Sequence, residues 1–220
     1  QHPEYKRMQT LISLCNQDLL TLAEMEWNGV KFDFQKAKEK SQEVDTQIAA
    51  IDKELNLLYP SIPINWNSGY HVSAILYGGP IREYKRIPVG TYKSGNKVGY
   101  PRYHIEKIEH TLPTLVEPLK RSELKKEGVY ATNEKTLKNL KANSKARKII
   151  ALVLKRSEFE KLNGTYLKGI PKTYEEMDWQ EEIIHGSYNQ VVAVTGRLSS
   201  SQPNMQNLDP RVDELLITRF

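Results

Sequence analysis

The chain has 220 residues, of which 39% are apolar and 27% charged, and its formal net charge is +5. These proportions are those of an ordinary globular protein, and they exclude a collagen-like, low-complexity or wholly disordered chain. No run reaches the roughly 18 consecutive apolar residues that a membrane-spanning helix needs, and no basic-then-apolar leader opens the sequence. A soluble, unsecreted, cytoplasmic protein without a membrane partner is therefore expected.

The positive charge is concentrated in one block. Residues 80–172 contain 22 Lys/Arg against 9 Asp/Glu, whereas residues 1–79 and 173–220 are both net acidic. Each cation that contacts a phosphate releases condensed counterions, which strengthens binding to a polyanion. The block therefore favours a nucleic-acid partner, and a solvated basic surface is the alternative.

The first predicted element is a helix that ends at Asn28-Gly29. Its apolar residues recur every three or four positions: Met8, Leu11, Ile12, Cys15, Leu19, Leu22 and Met25. Cys15 is the only cysteine, so neither an intramolecular disulfide nor a multi-cysteine metal site can form. We expect Cys15 to be a small buried core residue, and we expect residues 30–33 to form a short extended connector.

Two more long helices are predicted. The second begins at an Asp33 cap, ends before Tyr59-Pro60 and carries a seam suited to packing along another helix: Ala37, Val44, Ile48, Ile51, Leu55 and Leu58. The third covers about residues 144–166, and its predicted buried face consists of Ala146, Ile149, Ile150 and Val153. The opposite face carries Lys141, Lys145, Lys148 and Lys155. That lysine face suits a phosphate backbone, although a solvated face remains an alternative.

A less regular region, about residues 60–132, separates these helices. Asn67-Ser68 is expected to open a short helix that stops at Gly78-Gly79-Pro80. The stretch from Ile81 to Gly128 then mixes basic residues with Tyr84, Tyr92, Tyr100 and Tyr103. Such a stretch could hold a single nucleic-acid strand by charge and stacking, or it could form a surface hairpin.

The C-terminal part changes character. Tyr188 to Val194 is rich in β-branched residues and predicts a strand, and residues 195–204 are small and polar. An acidic cluster comprises Glu175, Glu176, Asp178, Glu181 and Glu182; we expect it to be solvated rather than to bind Mg²⁺. No P-loop, histidine metal site or Ser-His-Asp spacing is present. Composition and spacing alone thus indicate a basic, mainly helical nucleic-acid binder.

A longer motif is more specific. Residues 185–211 read HGSYNQ, VVAV and TGRLSSSQPNMQNLDPR. This closely resembles the segment HxxxNQ…TGRLSSxxPNLQNxxxR that opens the palm of family A DNA polymerases, the group of bacterial DNA polymerase I and the phage replicases. Weaker motifs of the same family are matched in the same order by residues 24–33, 65–77, 131–137 and 161–166.

The resemblance implies an α+β fold, mainly α with a small β part, in which long antiparallel thumb helices precede the first palm strands. Residues 1–33 would lead from the palm base into the thumb, residues 34–166 would form the thumb with a basic insertion at about 81–128, and residues 167–220 would start the palm. Some phage members of the family carry an insertion here that docks a host processivity protein. A phage origin, and docking of a processivity factor at 81–128, are therefore expected.

The resemblance also implies DNA contacts. A polymerase holds any sequence, so phosphates and the minor-groove acceptors shared by all base pairs are suitable targets. Arg197 would lie beside the primer terminus and sense correct pairing, with nearby amide donors from Asn204, Gln206 and Asn207, although Asn207 could instead only form a turn. Hydroxyls at the sugar–phosphate would come from Thr195, Ser199 and Ser200. The thumb would hold the duplex backbone with Thr132, Asn133, Lys148, Lys155, Lys161 and Asn163.

The family's catalytic motifs do not occur before Phe220. Its metal-binding aspartates lie in a later DxSxxE motif and an HDE-type motif, and its nucleotide-binding helix carries RxxxK. Because the complete polymerase needs two Mg²⁺ ions, we expect this chain to hold no cofactor and not to polymerise alone. With Gln1 in place of Met, it is expected to be a fragment or one piece of a split polymerase that works with a missing palm and fingers. A processivity-docking module and a decayed or intron-interrupted gene product are the alternatives.

Overall fold

The computed structural model describes residues 3–190, 192 and 195–217, with side chains from residue 6 onward. The helices are α1 (Pro3–Asn28), α2 (Phe34–Leu58), α3 (Gly69–Tyr77), α4 (Glu134–Lys138), α5 (Ser144–Lys161) and α6 (Gly169–Glu176). The strands are β1 (Val30–Phe32), β2 (Gly79–Thr91), β3 (Pro101–Leu112), β4 (Ile183–Ile184), β5 (Ser187–Asn189), β6 (Ser199–Ser201) and β7 (Leu216–Ile217). The chain is therefore mainly α with a small β part, which confirms the expected fold class.

The chain divides into two compact units. The first contains residues up to Gln47 and from Phe159 onward, and the second contains residues 48–158. Helices α2 and α5 each contribute to both units.

A three-stranded antiparallel sheet organises the first unit. Its order is β4-β1-β7, with Val30 opposite Ile184 and Lys31 opposite Ile217. The turn from α1 into β1 uses Gly29 at a φ of +60°, where a Cβ atom would lie 2.7 Å from the carbonyl oxygen of Ile184. Only glycine fits this turn without a clash, so the predicted helix end at Asn28-Gly29 is confirmed.

Helix α2 starts where the sequence places it. The carboxylate of Asp33 accepts a hydrogen bond from the backbone N–H of Lys36 at 2.8 Å, which satisfies one of the free donors at the helix start. The predicted seam is buried at Ala37, Val44, Ile48, Ile51 and Leu55, whereas Leu58 is half-buried.

In the second unit, α2 and α5 run antiparallel. Asp52 pairs with Arg156, and Glu54, further along α2, pairs with Lys148, which is earlier on α5. The predicted apolar face of α5 is buried: Ala146, Ile149, Ile150 and Val153. Helix α5 ends at Lys161, and the chain continues as a π-helical segment, Leu162–Leu167, so the regular helix stops five residues before the predicted end.

The short helix α3 forms as predicted. The Ser68 hydroxyl caps it by accepting from the backbone N–H of His71, and Gly78, at a φ of +84°, ends it. Strands β2 and β3 follow as one long antiparallel hairpin, with Gly79 opposite Leu112 and Thr91 opposite Pro101. Hairpin formation confirms one of the two interpretations of this stretch. Every residue from 84 to 107 is exposed, so this part packs against nothing else in its unit.

The expected burial of the α1 face is wrong for most of its length. Leu22 is buried, but the other predicted core residues are exposed, including Cys15: Met8, Leu11, Ile12, Cys15, Leu19 and Met25. The periodicity predicted the helix correctly, but a helical apolar stripe shows only which face can be buried. Within the described residues of this unit, only the Leu22 end of that face is buried.

The C-terminal strand is shorter than predicted. The predicted strand from Tyr188 to Val194 is confirmed only to Asn189; Gln190 and Val192 are bends, and Val191, Ala193 and Val194 lie outside the described residues.

Among the helices in the described part of the chain, none is both long and apolar enough to cross a bilayer.

Candidate nucleic-acid interface

A small two-stranded ribbon in the first unit carries the small, polar residues 195–204. Strands β5 and β6 pair antiparallel, with Tyr188 opposite Ser200 and Asn189 opposite Ser199. The Ser199 hydroxyl donates to the carbonyl oxygen of Asn189 at 3.3 Å. The Ser200 hydroxyl is buried, donates to the Pro203 carbonyl at 3.4 Å and accepts from the backbone N–H of Met205 at 3.2 Å. Ser200 therefore shapes the loop, and its hydroxyl is engaged within the chain.

The loop after β6 presents polar side chains to solvent. Asn204 accepts hydrogen bonds on its side-chain oxygen from the backbone N–H groups of Gln206 and Asn207, at 3.1 and 3.2 Å. This turn leaves both of those side chains exposed. Arg197 and Thr195, which precede β6, are exposed as well. Arg197, Gln206 and Asn207 thus offer amide and guanidinium donors to an external partner, and Asn204 fixes the turn that carries two of them.

The loop is also anchored from the π-helical segment. The buried Tyr166 donates its hydroxyl proton to the carbonyl oxygen of Asn207 at 2.7 Å. Lys161 is exposed at the start of this segment, and its charge contributes to lowering the pKa of Asp209. Lys161 therefore lies near Asp209, which follows the loop of residues 195–207. π-Helical turns are rare and often occur at functional sites.

An ion pair between Asp209 and Arg211 lies at the end of the motif of residues 185–211. Asp209 accepts from the backbone N–H of Arg211 and pairs with its guanidinium, at 2.7 Å between Oδ2 and Nη2. The Arg211 hydrogen bonds hold the pKa of the Asp209 carboxyl at about 2, below its ordinary 3.8. The same carboxylate starts a 3₁₀ segment, Pro210–Leu215, whose Val212 and Leu215 are buried. Asp209 therefore connects the end of the loop of residues 195–207 to a segment that is buried in the core of the first unit.

This pKa predicts an acid-sensitive contribution to stability. A carboxyl whose pKa is lower in the folded state stabilises the fold above its unfolded pKa, and the contribution disappears as the pH falls through the folded value. Asp209→Asn should therefore reduce the free energy of unfolding by about 1 kcal/mol near neutral pH, since Asp209 is partly solvated. Urea unfolding of both proteins should show the difference shrinking between about pH 4 and pH 2. A difference that is constant with pH would contradict this assignment.

Asn163 has an internal role that the sequence did not reveal. Its side chain is 2% exposed, accepts from the Ser41 hydroxyl at 2.7 Å and donates to Asp45 at 2.7 Å. Lys168 also pairs with Asp45, at 2.8 Å. The amide of Asn163 thus joins α2 to the π-helical segment within the first unit. This amide is buried and already paired within the chain, and the expected contact of Asn163 with the DNA backbone stays a prediction.

The remaining predicted contacts lie in the second unit. Lys148 is exposed and pairs with Glu54 at 2.7 Å, and Lys155 is also exposed. Asn133 caps α4 by accepting from the backbone N–H of Thr136 at 2.9 Å, and Thr132 is half-buried beside it. The lysine face of α5 is therefore open to solvent, whereas the side-chain oxygen of Asn133 already serves as a helix cap.

Three residues that hold the motifs in place were not predicted as site residues. Glu26 accepts the backbone N–H of Tyr188 at 2.5 Å, and its carbonyl oxygen lies 2.7 Å from a His185 ring nitrogen. Arg156 is buried and binds Asp52 and Asn67. Tyr166 anchors the loop as described above. Glu26 and Tyr166 lie inside the weaker family motifs, as does Asn67, the partner of Arg156, so these motifs were the sequence signal that could have identified them.

The described residues do not form a metal site. Nowhere in residues 6–190, 192 and 195–217 do three His, Cys, Asp or Glu side chains come together in a way that could hold an ion. The five acidic residues between 175 and 182 are exposed, as predicted. The residues present therefore do not fit the paired Mg²⁺ ions of a complete polymerase, and no step through a metal is assigned to them.

Comparison with known proteins places this fold and motif in one family. The family model for DNA polymerase family A matches residues 103–219. DNA polymerase I of Chloroflexus aurantiacus is 28% identical over 195 residues, 88% of this chain and 16% of that protein. DNA polymerase I of Bacillus subtilis is 25% identical over 89% of this chain and 17% of its own length.

A solved structure supports the fold. The chain resembles the POL domain of Pol1 from M. smegmatis, solved in complex with DNA primer-template and dNTP, with a TM-score of 0.56 and 21% identity. That similarity covers 88% of this chain and 26% of the other. The family model matches more than half of the chain, so the chain belongs to DNA polymerase family A. It spans about a sixth of the length of these two DNA polymerase I relatives.

Proposed function

We propose that this chain is the primer–template-binding part of a DNA-directed DNA polymerase, comprising a thumb and the first palm strands. The observation that carries the proposal is the loop of residues 195–207. It presents Arg197, Gln206 and Asn207 to solvent on a backbone fixed by Asn204, Ser200 and Tyr166. Such fixed donors suit the minor-groove acceptors that all base pairs share, so binding would not depend on sequence.

The lysines of α5 would supply a further set of contacts with DNA. Lys148, Lys155 and Lys161 are exposed on this helix. Contacts between lysines and phosphates carry no sequence information, and they position a duplex by charge. The proposed DNA contacts are therefore the exposed lysines of α5 and the exposed donors of the loop of residues 195–207. Ser200, Asn204 and Asn163 support the site from within the protein.

Catalysis would require more than these residues. The proposed nucleotidyl transfer needs Mg²⁺ held by carboxylates and a bound nucleotide, and the family motifs that supply both do not occur in this sequence. The chain alone is therefore expected to bind primer–template without extending it. If a phage encodes the polymerase, its place of work is the cytoplasm of the host cell.

Binding to two short duplexes of unrelated sequence tests the proposed function. Fluorescence anisotropy should give equal affinities for both, and log K should fall with log salt by about 0.9 for each phosphate contacted. Alanine at Arg197 should weaken both complexes equally, whereas alanine at Lys53, an exposed lysine of α2, should leave them unchanged. A strong preference for one sequence, or a binding constant independent of salt, would refute the proposal.

Docking of a processivity protein at residues 81–128 stays a prediction, and the structure sharpens its test. Deleting the whole insertion would remove Leu112 and Val116, which are buried in the second unit. Replacing only residues 84–107 by a tight turn spares that core. In a complete polymerase, this replacement should shorten the DNA made per binding event if the docking role is correct. Unchanged product length would end that hypothesis.

A further inference from the structure

The exposed part of the hairpin, residues 84–107, has an unusual charge distribution; we call it the distal hairpin. From residue 84 to 105 it carries five cations and no Asp or Glu: Lys85, Arg86, Lys93, Lys97 and Arg102. Three acidic residues lie at or near its base: Glu106 stands opposite Lys85 in the strand register, Glu109 contacts Arg82 and Lys107, and Glu83 contacts Lys85. The tip of the hairpin therefore carries a net positive charge.

The same segment exposes aromatic rings. Tyr84, Tyr92, Tyr100 and Tyr103 are 40–66% exposed. Three of them line an open depression of about 540 Å³ at the tip, together with Asn96, Lys97 and Pro101. Ring faces that remain exposed to water are a feature of surfaces that bind a partner.

The register places rings and charges on one face. Tyr84 stands opposite Lys107, Arg86 opposite Ile105, and Pro88 opposite Tyr103. Directly opposed residues of an antiparallel pair, and alternate residues along each strand, share a face. Tyr84, Arg86 and Tyr103 therefore lie on the same face, and Tyr103 continues it into the tip depression.

Four of these cations have no acidic partner within the described residues. No ion pair involves Arg86, Lys93, Lys97 or Arg102, whereas Lys85 and Lys107 are paired near the base. Like charges held close together without counter-charges favour an anionic ligand.

We propose that the distal hairpin binds an unpaired nucleic-acid strand, with tyrosines stacking on bases and cations contacting phosphates. Stacking needs a free base face, which a duplex hides, so the exposed rings favour a single strand over a duplex. The site shares no residue with the loop of residues 195–207 or with the α5 lysines, and it does not depend on the function proposed for them. An acidic protein is the alternative ligand, because it matches the charge but has no need of open ring faces.

The test uses the full 220-residue chain and a fluorescent oligothymidine of about 16 nucleotides. Combined alanine replacement of Tyr92, Tyr100 and Tyr103 should weaken binding at least about tenfold, since stacking contributes strongly for each base. The matched triple phenylalanine variant keeps the rings and should bind like the parent. Alanine at Arg86, Lys93, Lys97 and Arg102 should reduce the magnitude of the salt slope by about 0.7 for each phosphate that is no longer bound. All of these side chains are exposed, so circular dichroism should show unchanged helix content.

The outcomes are distinct. Selective loss of oligothymidine binding in the alanine variants, with duplex binding retained, supports the proposal. Equal weakening on single strand and duplex would overturn it in favour of a general phosphate-binding surface. Parent-like binding by the alanine variants, or no oligothymidine binding by the parent, would also overturn it. If the parent does not bind oligothymidine, an acidic protein is the ligand to examine.

Discussion

Replacing Arg156 by alanine is expected to lower the free energy of unfolding by about 3 kcal/mol. The guanidinium is buried and binds both carboxylate oxygens of Asp52, at 2.5 and 3.3 Å, and the side chain of Asn67. It therefore links α2, α5 and the segment before α3 inside the second unit. Removing it leaves a partly buried carboxylate and an amide without their donor, which costs more than the removal of one surface pair.

Urea unfolding followed by circular dichroism measures this effect. Alanine at Lys145, an exposed lysine on the same helix, is the matched control and should change stability by less than about 0.5 kcal/mol. Combining Arg156→Met with Asp52→Leu should recover much of the stability, because an apolar pair leaves no unpaired charge. Equal stabilities for the Arg156 and Lys145 variants would show that the network contributes little.

Charge reversal at Lys148, Lys155 and Lys161 should weaken primer–template binding by about a hundredfold at low salt. These side chains are exposed on α5, and reversal replaces attraction to phosphates by repulsion. The weakening should be the same for duplexes of different sequence, because phosphate contacts do not read bases. The slope of log K against log salt should fall in magnitude by about 0.9 for each phosphate that the variant no longer binds.

The pairing of Lys148 with Glu54 calls for a specific control. Reversal at Lys148 alone leaves two carboxylates facing each other, which could disturb α2 and α5 rather than DNA binding. Lys148→Glu together with Glu54→Lys restores the pair and the net charge. If the double variant binds as weakly as the single one, Lys148 binds a phosphate from its own position. Recovery to parent affinity would show that Lys148 acts only within the protein.

The sequence was most informative where capping and spacing act locally. The Asp33 cap, the Ser68 cap and the stop at Gly78 were all predicted and confirmed, because each depends on a side chain and its immediate backbone. The buried faces of α2 and α5 were also predicted, since their partners are within this chain.

The sequence was less informative where burial depends on distant partners. Cys15 stands on a regular apolar stripe, but its side chain is exposed. Asn163 looked like a backbone contact, yet Ser41 and Asp45, more than a hundred residues away, take its hydrogen bonds. Single-sequence periodicity contains no information about such long-range neighbours.

In the motif of residues 185–211, the sequence was informative about the family but not about the role of each side chain. Its resemblance to family A polymerases identified the segment, and the family model confirms the membership. The resemblance assigned no role to Asp209, whereas the structure makes it the cap of the 3₁₀ segment and the ion-pair partner of Arg211. Only the structure distinguishes the exposed donors of this segment from the side chains that hold it in place.

The central claim is that the loop of residues 195–207 reads minor-groove acceptors at a paired primer end. A primer whose terminal purines are replaced by 3-deaza analogues lacks the N3 acceptors while keeping its base pairing. The parent chain should bind this duplex about tenfold more weakly than the unmodified one, and Arg197→Ala should show a smaller difference between the two, because Gln206 and Asn207 remain as donors. Equal affinity of the parent chain for the two duplexes would contradict the claim.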